Sequence, residues 1–129
     1  ERIVSRSQYS AGVLYASSVV PSTDKCASGG TGYINALSAF SGATLTKPFF
    51  DINNDNAFDD ADKKLVGGKL TPAGSVRTGG MIGEITIKKV TDSKFTIQSC
   101  DSTGVCKAQP NVNLSELKGR VSWREIRKE

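Results

Sequence analysis

Two alternating segments separated by a short turn decide the fold of this chain. The first is Met81-Ile-Gly-Glu-Ile-Thr-Ile-Lys-Lys-Val90 and the second is Lys94-Phe-Thr-Ile-Gln-Ser-Cys100, with Asp92-Ser93 between them. In both segments apolar side chains are set against lysines and other polar residues, which is the pattern of a half-buried β-strand. The sequence therefore predicts an antiparallel hairpin over residues 81–100.

Similar patterns of β-branched and aromatic residues occur along most of the chain. The further segments that we predict as extended are residues 2–8, 12–20, 33–40, 45–50, 105–108 and 119–127. A helical period is limited to residues 115–118 and to a turn or two over 60–65, which Gly67-Gly68 would end. The predicted class is an all-β fold of mostly antiparallel sheets.

Two segments rich in glycine, proline and small residues, 21–32 and 69–80, are predicted to be loops. The first contains Gly29-Gly30-Thr31-Gly32, which lacks the Gly-Lys-Ser/Thr ending of a phosphate-binding loop. We interpret it as a flexible turn that delivers the chain into the next strand.

The length of 129 residues predicts a single domain, and no apolar run is long enough for a membrane span. Because the sequence starts at Glu1 without a methionine or an apolar leader, we expect a mature product or a segment of a longer chain.

Charge is distributed unevenly along the sequence. The net charge is +4, and residues 51–62 carry five aspartates and no base, so the remainder carries +4 − (−5) = +9. The basic residues are scattered, and the cluster of Arg120, Arg124, Arg127 and Lys128 is diluted by two glutamates. This pattern argues against a nucleic-acid partner.

The cysteine pattern favours a disulfide over a zinc site. Cys100 and Cys106 lie on either side of an Asp-Ser-Thr-Gly turn, so antiparallel flanking strands would bring the two thiols within bonding range. A disulfide indicates an oxidising compartment and hence export. Cys26 is left over, either because its partner lies elsewhere or because it is buried as a small apolar residue.

The acidic segment 51–62 has the ligand spacing of an EF-hand calcium loop. Calcium is a hard cation that takes about six to eight oxygens, which an EF-hand supplies from alternate positions of a twelve-residue loop. The predicted metal ligands are the side chains of Asp51, Asn53, Asp55, Asp59 and Asp62 and the backbone carbonyl of Ala57. Asn56 stands where glycine is usual and tolerates the left-handed backbone, and Phe58 is expected to pin the loop to the core. Pro48 disfavours the helix that normally leads into such a loop.

Several motifs, taken in order, resemble the C-terminal part of the type IV pilus biogenesis factor and tip-adhesin family, the PilY- and PilC-type proteins. They are Ser5-Arg-Ser-Gln, Gly12-Val-Leu-Tyr, Val20-Pro-Ser-Thr-Asp-Lys-Cys26, Gly29-Gly-Thr-Gly-Tyr33, Phe49-Phe-Asp-Ile-Asn-Asn-Asp55 and Gly119-Arg-Val-Ser-Trp-Arg-Glu125.

The resemblance implies the last part of a modified β-propeller, with a calcium loop that governs pilus extension, retraction or adhesion. It implies pilin or minor pilins as partners, a host-cell surface receptor as a further partner, and a location on the pilus or outer membrane. A blade takes about 40 to 45 residues, so the chain is either a propeller fragment or a sheet of its own.

Two alternatives remain open at this stage. A dockerin-like interaction module shares the ligand spacing, although dockerins carry two such loops on helices. A fragment of a propeller-type quinoprotein is suggested by the strand-turn pattern ending at residues 39–42. The sequence has no histidine to act as a base for a serine or cysteine nucleophile, so we expect the chain not to be an enzyme.

Overall fold

A computed structural model describes residues 1–10, 12–24, 29–91 and 94–114. Within these ranges the chain forms ten β-strands, and its helical content is one short 3-10 helix, Asp60–Asp62. Every pair of neighbouring strands is antiparallel. The predicted all-β, antiparallel class is confirmed, and the fold is consistent with a fragment of a propeller.

The strands are β1 Arg2–Ile3, β2 Gln8–Ser10, β3 Val13–Pro21, β4 Gly30–Ser38, β5 Lys63–Val66, β6 Lys69–Pro72, β7 Ser75–Thr78, β8 Thr86–Thr91, β9 Lys94–Cys100 and β10 Cys106–Val112. The largest sheet has the order β1-β3-β4-β7, with β2 also paired to β3. A second sheet has the order β10-β9-β8, and β5 and β6 form a separate hairpin.

Some predictions concern residues outside the described ranges. These are the state of Cys26, the Asp92-Ser93 turn, the helical period at 115–118, the strand at 119–127 and the basic cluster of Arg120, Arg124, Arg127 and Lys128. The described part contains no helix with the length and hydrophobicity that a membrane crossing requires.

The hydrophobic core lies between the two larger sheets. The long strands β3 and β4 and the central strand β9 contribute buried side chains such as Tyr15, Ile34 and Ile97. Phe49 and Phe50 come from the segment between the sheets and are 2% and 1% exposed. Their rings meet edge to face at a centroid distance of 4.9 Å. The chain therefore enters residues 51–62 directly from the core.

The prediction of a flexible turn at Gly29–Gly32 is wrong for most of its length, because β3 continues to Pro21 and β4 starts at Gly30. A Cβ atom on Gly30 would lie 2.3 Å from the carbonyl oxygen of Val20, and one on Gly32 would lie 2.8 Å from Thr78 Oγ1. These glycines allow neighbouring strands to approach closely, so they serve packing and not flexibility.

The prediction of a loop over 69–80 is also wrong, since β6 and β7 fall inside it. The helical turn predicted at 60–65 ends at Asp62, and β5 begins at the next residue. Gly67 and Gly68 both have positive φ, 58° and 81°, and join β5 to β6 as a tight hairpin turn. Two central residues with positive φ match the twist of a hairpin, so these glycines connect strands and do not cap a helix.

The hairpin that opened the sequence analysis is confirmed, but its first strand is shorter than predicted. β8 begins at Thr86, and Ile82 forms an isolated bridge with Asp101.

The predicted disulfide is present between Cys100 and Cys106, whose Cα atoms are 4.0 Å apart at the start of the β9–β10 pairing. The segment predicted as 2–8 is divided into β1 and β2.

The close approach at Gly30 gives a testable expectation. Gly30→Ala should lower the free energy of unfolding by about 1 to 3 kcal/mol, because the new methyl group collides with the backbone of Val20. Gly29→Ala is the matched control, since no atom lies within 4 Å of a Cβ built there. Urea unfolding of both variants measures the difference, and equal stability of the two would contradict this account of the strand packing.

Candidate metal centre

The chain enters the acidic loop as extended backbone held against β10. Phe50 pairs with Val112 in an isolated antiparallel bridge. The N–H of Asp51 donates to the carbonyl of Asn111 at 3.0 Å, and the N–H of Asn113 donates to the carbonyl of Phe49 at 2.9 Å. The predicted absence of an incoming helix is therefore confirmed, and β10 fixes the position at which the loop begins.

The first predicted ligand, Asp51, is fully buried at 0% exposure. Its Oδ1 accepts from the N–H of Asp55 at 3.2 Å, and its Oδ2 accepts from the N–H of Asn56 at 3.0 Å. Asn111 Nδ2 donates to the same Oδ2 at 3.1 Å. A buried carboxylate needs such donors, because burial without them carries a large desolvation cost.

The middle of the loop is folded by short-range hydrogen bonds from its own backbone. Asn53 Oδ1 accepts from the N–H of Asp55 at 3.2 Å, and Asp55 Oδ1 accepts from the N–H of Ala57 at 2.7 Å. Asn53 Nδ2 also donates to Asp55 Oδ2 at 2.8 Å. Asn54 and Asn56 have φ of 61° and 66°, in the left-handed region that asparagine tolerates better than most residues. The expectation for Asn56 is confirmed.

The last predicted ligand, Asp62, closes the loop. Its Oδ1 accepts from the N–H of Ile52 at 2.7 Å, which ties the twelfth loop position to the second. Asp62 Oδ2 also accepts from the N–H of Asp59 at 3.3 Å, and Asp59 Oδ1 accepts from the N–H of Ala61 at 2.8 Å. The first of these bonds is one half of a capping box on the 3-10 helix, in which the Asp59 side chain also accepts from the N–H of Asp62, so the box holds both aspartates in place.

The six predicted ligands thus share one closed loop but differ in exposure. Asp51 and Asp62 are buried, while Asn53, Asp55, Ala57 and Asp59 are exposed. In the described part of the chain, no group of three or more His, Cys, Asp or Glu side chains is arranged so that it could hold a metal ion. The donor set of the loop is made of oxygen atoms only, which is the chemistry of a hard cation such as calcium.

The two buried carboxylates lack a cationic partner among the residues described. Lys63 Nζ forms an ion pair with Asp60 at 2.6 Å, but Asp60 is an exposed residue outside the predicted ligand set. No lysine or arginine of the described ranges pairs with Asp51 or Asp62. Within those ranges, the hydrogen bonds to these two carboxylates come only from amide N–H groups.

Sequence reasoning missed Asn111 and the left-handed backbone at Asn54. Asn111 lies on β10 and donates a second bond, from Nδ2 to Asn56 Oδ1 at 3.1 Å. A sequence separation of 60 residues from Asp51 leaves no local signal for this contact. Phe58, expected to pin the loop, is only half-buried, and Phe49 and Phe50 provide the core anchor instead.

The left-handed backbone of Asn54 predicts different effects on stability for two small substitutions. Asn54→Ala should lower the free energy of unfolding by about 1 kcal/mol, because a Cβ without a compensating polar group is disfavoured at positive φ. Asn54→Gly should be close to neutral. Urea unfolding checks the pair, and an alanine variant as stable as the glycine variant would contradict the expectation.

The fold and the site together define an all-β, antiparallel fold in which one acidic loop is braced against a sheet. No protein-family model matches the chain, and no curated protein matches it. Among solved structures, it is similar to the crystal structure of the Pseudomonas aeruginosa PilY1 C-terminal domain, with a TM-score of 0.65 and 14% sequence identity. The match covers 88% of this chain and 20% of that one. It shows that the two share a fold.

Proposed function

We propose that residues 51–62 bind a calcium ion and that the chain is a non-enzymatic, calcium-responsive component of a type IV pilus system. The proposed ligands are the side chains of Asp51, Asn53, Asp55, Asp59 and Asp62 and the carbonyl of Ala57. The observation that carries the calcium proposal is the pair of buried carboxylates, Asp51 and Asp62, without a cationic partner in the described ranges. A divalent cation would supply the missing positive charge.

The hydrogen bonds of the loop support the same assignment. Asp51, Asn53, Asp55 and Asp59 each accept from backbone amides of the loop through one or both side-chain oxygens. An oxygen that accepts one N–H keeps lone-pair capacity for a cation. The backbone therefore orients these groups. Small movements of the exposed side chains would complete the coordination of the ion.

The pilus assignment rests on the shared fold with the PilY1 C-terminal domain and on the motifs at residues 5–8, 29–33 and 49–55. A role on the pilus or outer surface agrees with the Cys100–Cys106 disulfide, since such bonds persist in oxidising compartments. The proposed partners are pilin or minor pilins, with a host-cell surface receptor as a target of adhesion. The loop would act by ordering the surface around residues 53–59 when calcium binds.

Calcium should stabilise the purified chain. At a calcium concentration about a hundredfold above the dissociation constant, the melting temperature should rise on the order of 5 to 10 °C relative to chelator. Magnesium should give a smaller shift, because it prefers a smaller octahedral shell and retains its waters. Thermal melting followed by circular dichroism measures both shifts.

Two variants distinguish calcium binding by the proposed ligands from a nonspecific effect of the acidic residues in this loop. Asp62→Asn should abolish most of the calcium shift, because it removes a buried ligand, whereas Asp60→Asn should keep it, since Asp60 is exposed and pairs with Lys63. A wild-type chain with the same melting temperature in calcium and in chelator would overturn the calcium proposal.

The pilus role is tested in the bacterium that makes the protein. Replacing Asp59 and Asp62 together by asparagine should change surface piliation and twitching, because the loop would no longer respond to calcium. Asp60→Asn provides the matched strain with the same kind of charge change outside the ligand set. Unaltered pilus number and twitching zone in the double variant, at normal protein level, would count against this role.

A further inference from the structure

We infer that Asn111 is a positioning residue for the acidic loop and that it sets the calcium affinity of the loop from β10. This inference rests on the proposed calcium function and extends it to a residue outside the loop. Asn111 is not itself among the proposed ligands. It acts through Asp51 and Asn56, which stand at the first and sixth positions of the loop.

The geometry at Asn111 links three points of the loop to one residue. The carbonyl of Asn111 accepts from the N–H of Asp51 at 3.0 Å. Its side-chain Nδ2 donates to Asp51 Oδ2 and to Asn56 Oδ1, both at 3.1 Å. The first bond fixes the backbone at which the loop begins. The other two fix a buried carboxylate oxygen and the left-handed residue at which the loop reverses.

A β-bulge places Asn111 on the correct face of its strand. Ala108 pairs with Gln98 and Asn111 pairs with Thr96, so β10 uses three steps where β9 uses two. Without the extra residue, the alternation of side chains would turn position 111 toward the opposite face. The Thr96 hydroxyl donates to the carbonyl of Ala108 at 2.7 Å and braces the bulge from β9.

This arrangement makes the loop and the β9–β10 pair one coupled unit. A ligand that restricts the motion of Asp51 also stabilises the hydrogen bonds between Asp51 and Asn111. Because such coupling is reciprocal, a β10 strand held in register also favours the loop conformation that binds the ligand. The Cys100–Cys106 disulfide closes the other end of the same strand pair. Calcium binding should therefore stabilise β10 as well as the loop.

The test is calcium titration of the purified chain by isothermal calorimetry. Asn111→Ala should raise the dissociation constant about tenfold, the equivalent of losing one hydrogen bond to a charged group. Asn35→Ala is the matched control. It removes an asparagine that donates to Ser18 Oγ on the neighbouring strand of the larger sheet, so it should leave the dissociation constant unchanged.

A second variant keeps the test decisive if Asn111→Ala folds poorly. Asn56→Gly removes one acceptor of Asn111 while allowing the positive φ, and it should raise the dissociation constant by a smaller factor. If both residues act through one link, the double variant should bind about as weakly as Asn111→Ala alone. Fully additive effects of the two substitutions would contradict a shared link.

Amide exchange on the metal-free chain gives a readout that does not depend on calcium. The N–H groups of Asp55 and Asn56, which donate to Asp51, should exchange faster in Asn111→Ala than in the wild type. If Asn111 has a purely structural role, Asn111→Ala will lower global stability and leave the dissociation constant unchanged. That result would overturn this inference and leave the proposed calcium function intact. Failure of the wild type to bind calcium would overturn the proposed function and, with it, this inference.

Discussion

The burial of the Asp51 carboxylate constrains the rest of this structure. A charged group with 0% exposure must be surrounded by donors, and the chain supplies them from two loop amides and from the side chain of Asn111. Meeting that requirement fixes the start of the loop, the left-handed turn at Asn56 and the register of β10 against residues 49–51. The loop is consequently part of the core architecture and not an appendage to it.

The loop divides into a buried frame and an exposed middle. Asp51 and Asp62 form the frame and are tied to amides at the second, fifth, sixth and ninth loop positions. Asn53, Asp55, Ala57 and Asp59 form the middle and face solvent. Such a division suits a site that exchanges an ion with its surroundings while its ends stay fixed.

The sequence predicted features whose signals are local. The alternation at residues 94–100, the pairing of Cys100 with Cys106 and the positive φ of Asn56 each follow from neighbouring residues, and all are confirmed. The spacing of the oxygen-bearing residues located the loop, while calcium binding stays a prediction. Features that depend on distant contacts were missed or misread. The sequence around Gly30 indicates a turn, and only its close approach to Val20 in the fold explains the glycine. No residue near Asn111 in the sequence indicates its contact with Asp51.

The 60-residue separation between Asp51 and Asn111 also has a consequence for the order of assembly. While the chain is being made, the acidic loop emerges well before the strand that supplies its last donor. Until β10 is in place, the Asp51 carboxylate has only donors from its own loop, so the loop is incomplete in a chain that lacks β10 or has not yet docked it. Completion of the loop thus reports that the β9–β10 strand pair has docked against residues 49–51.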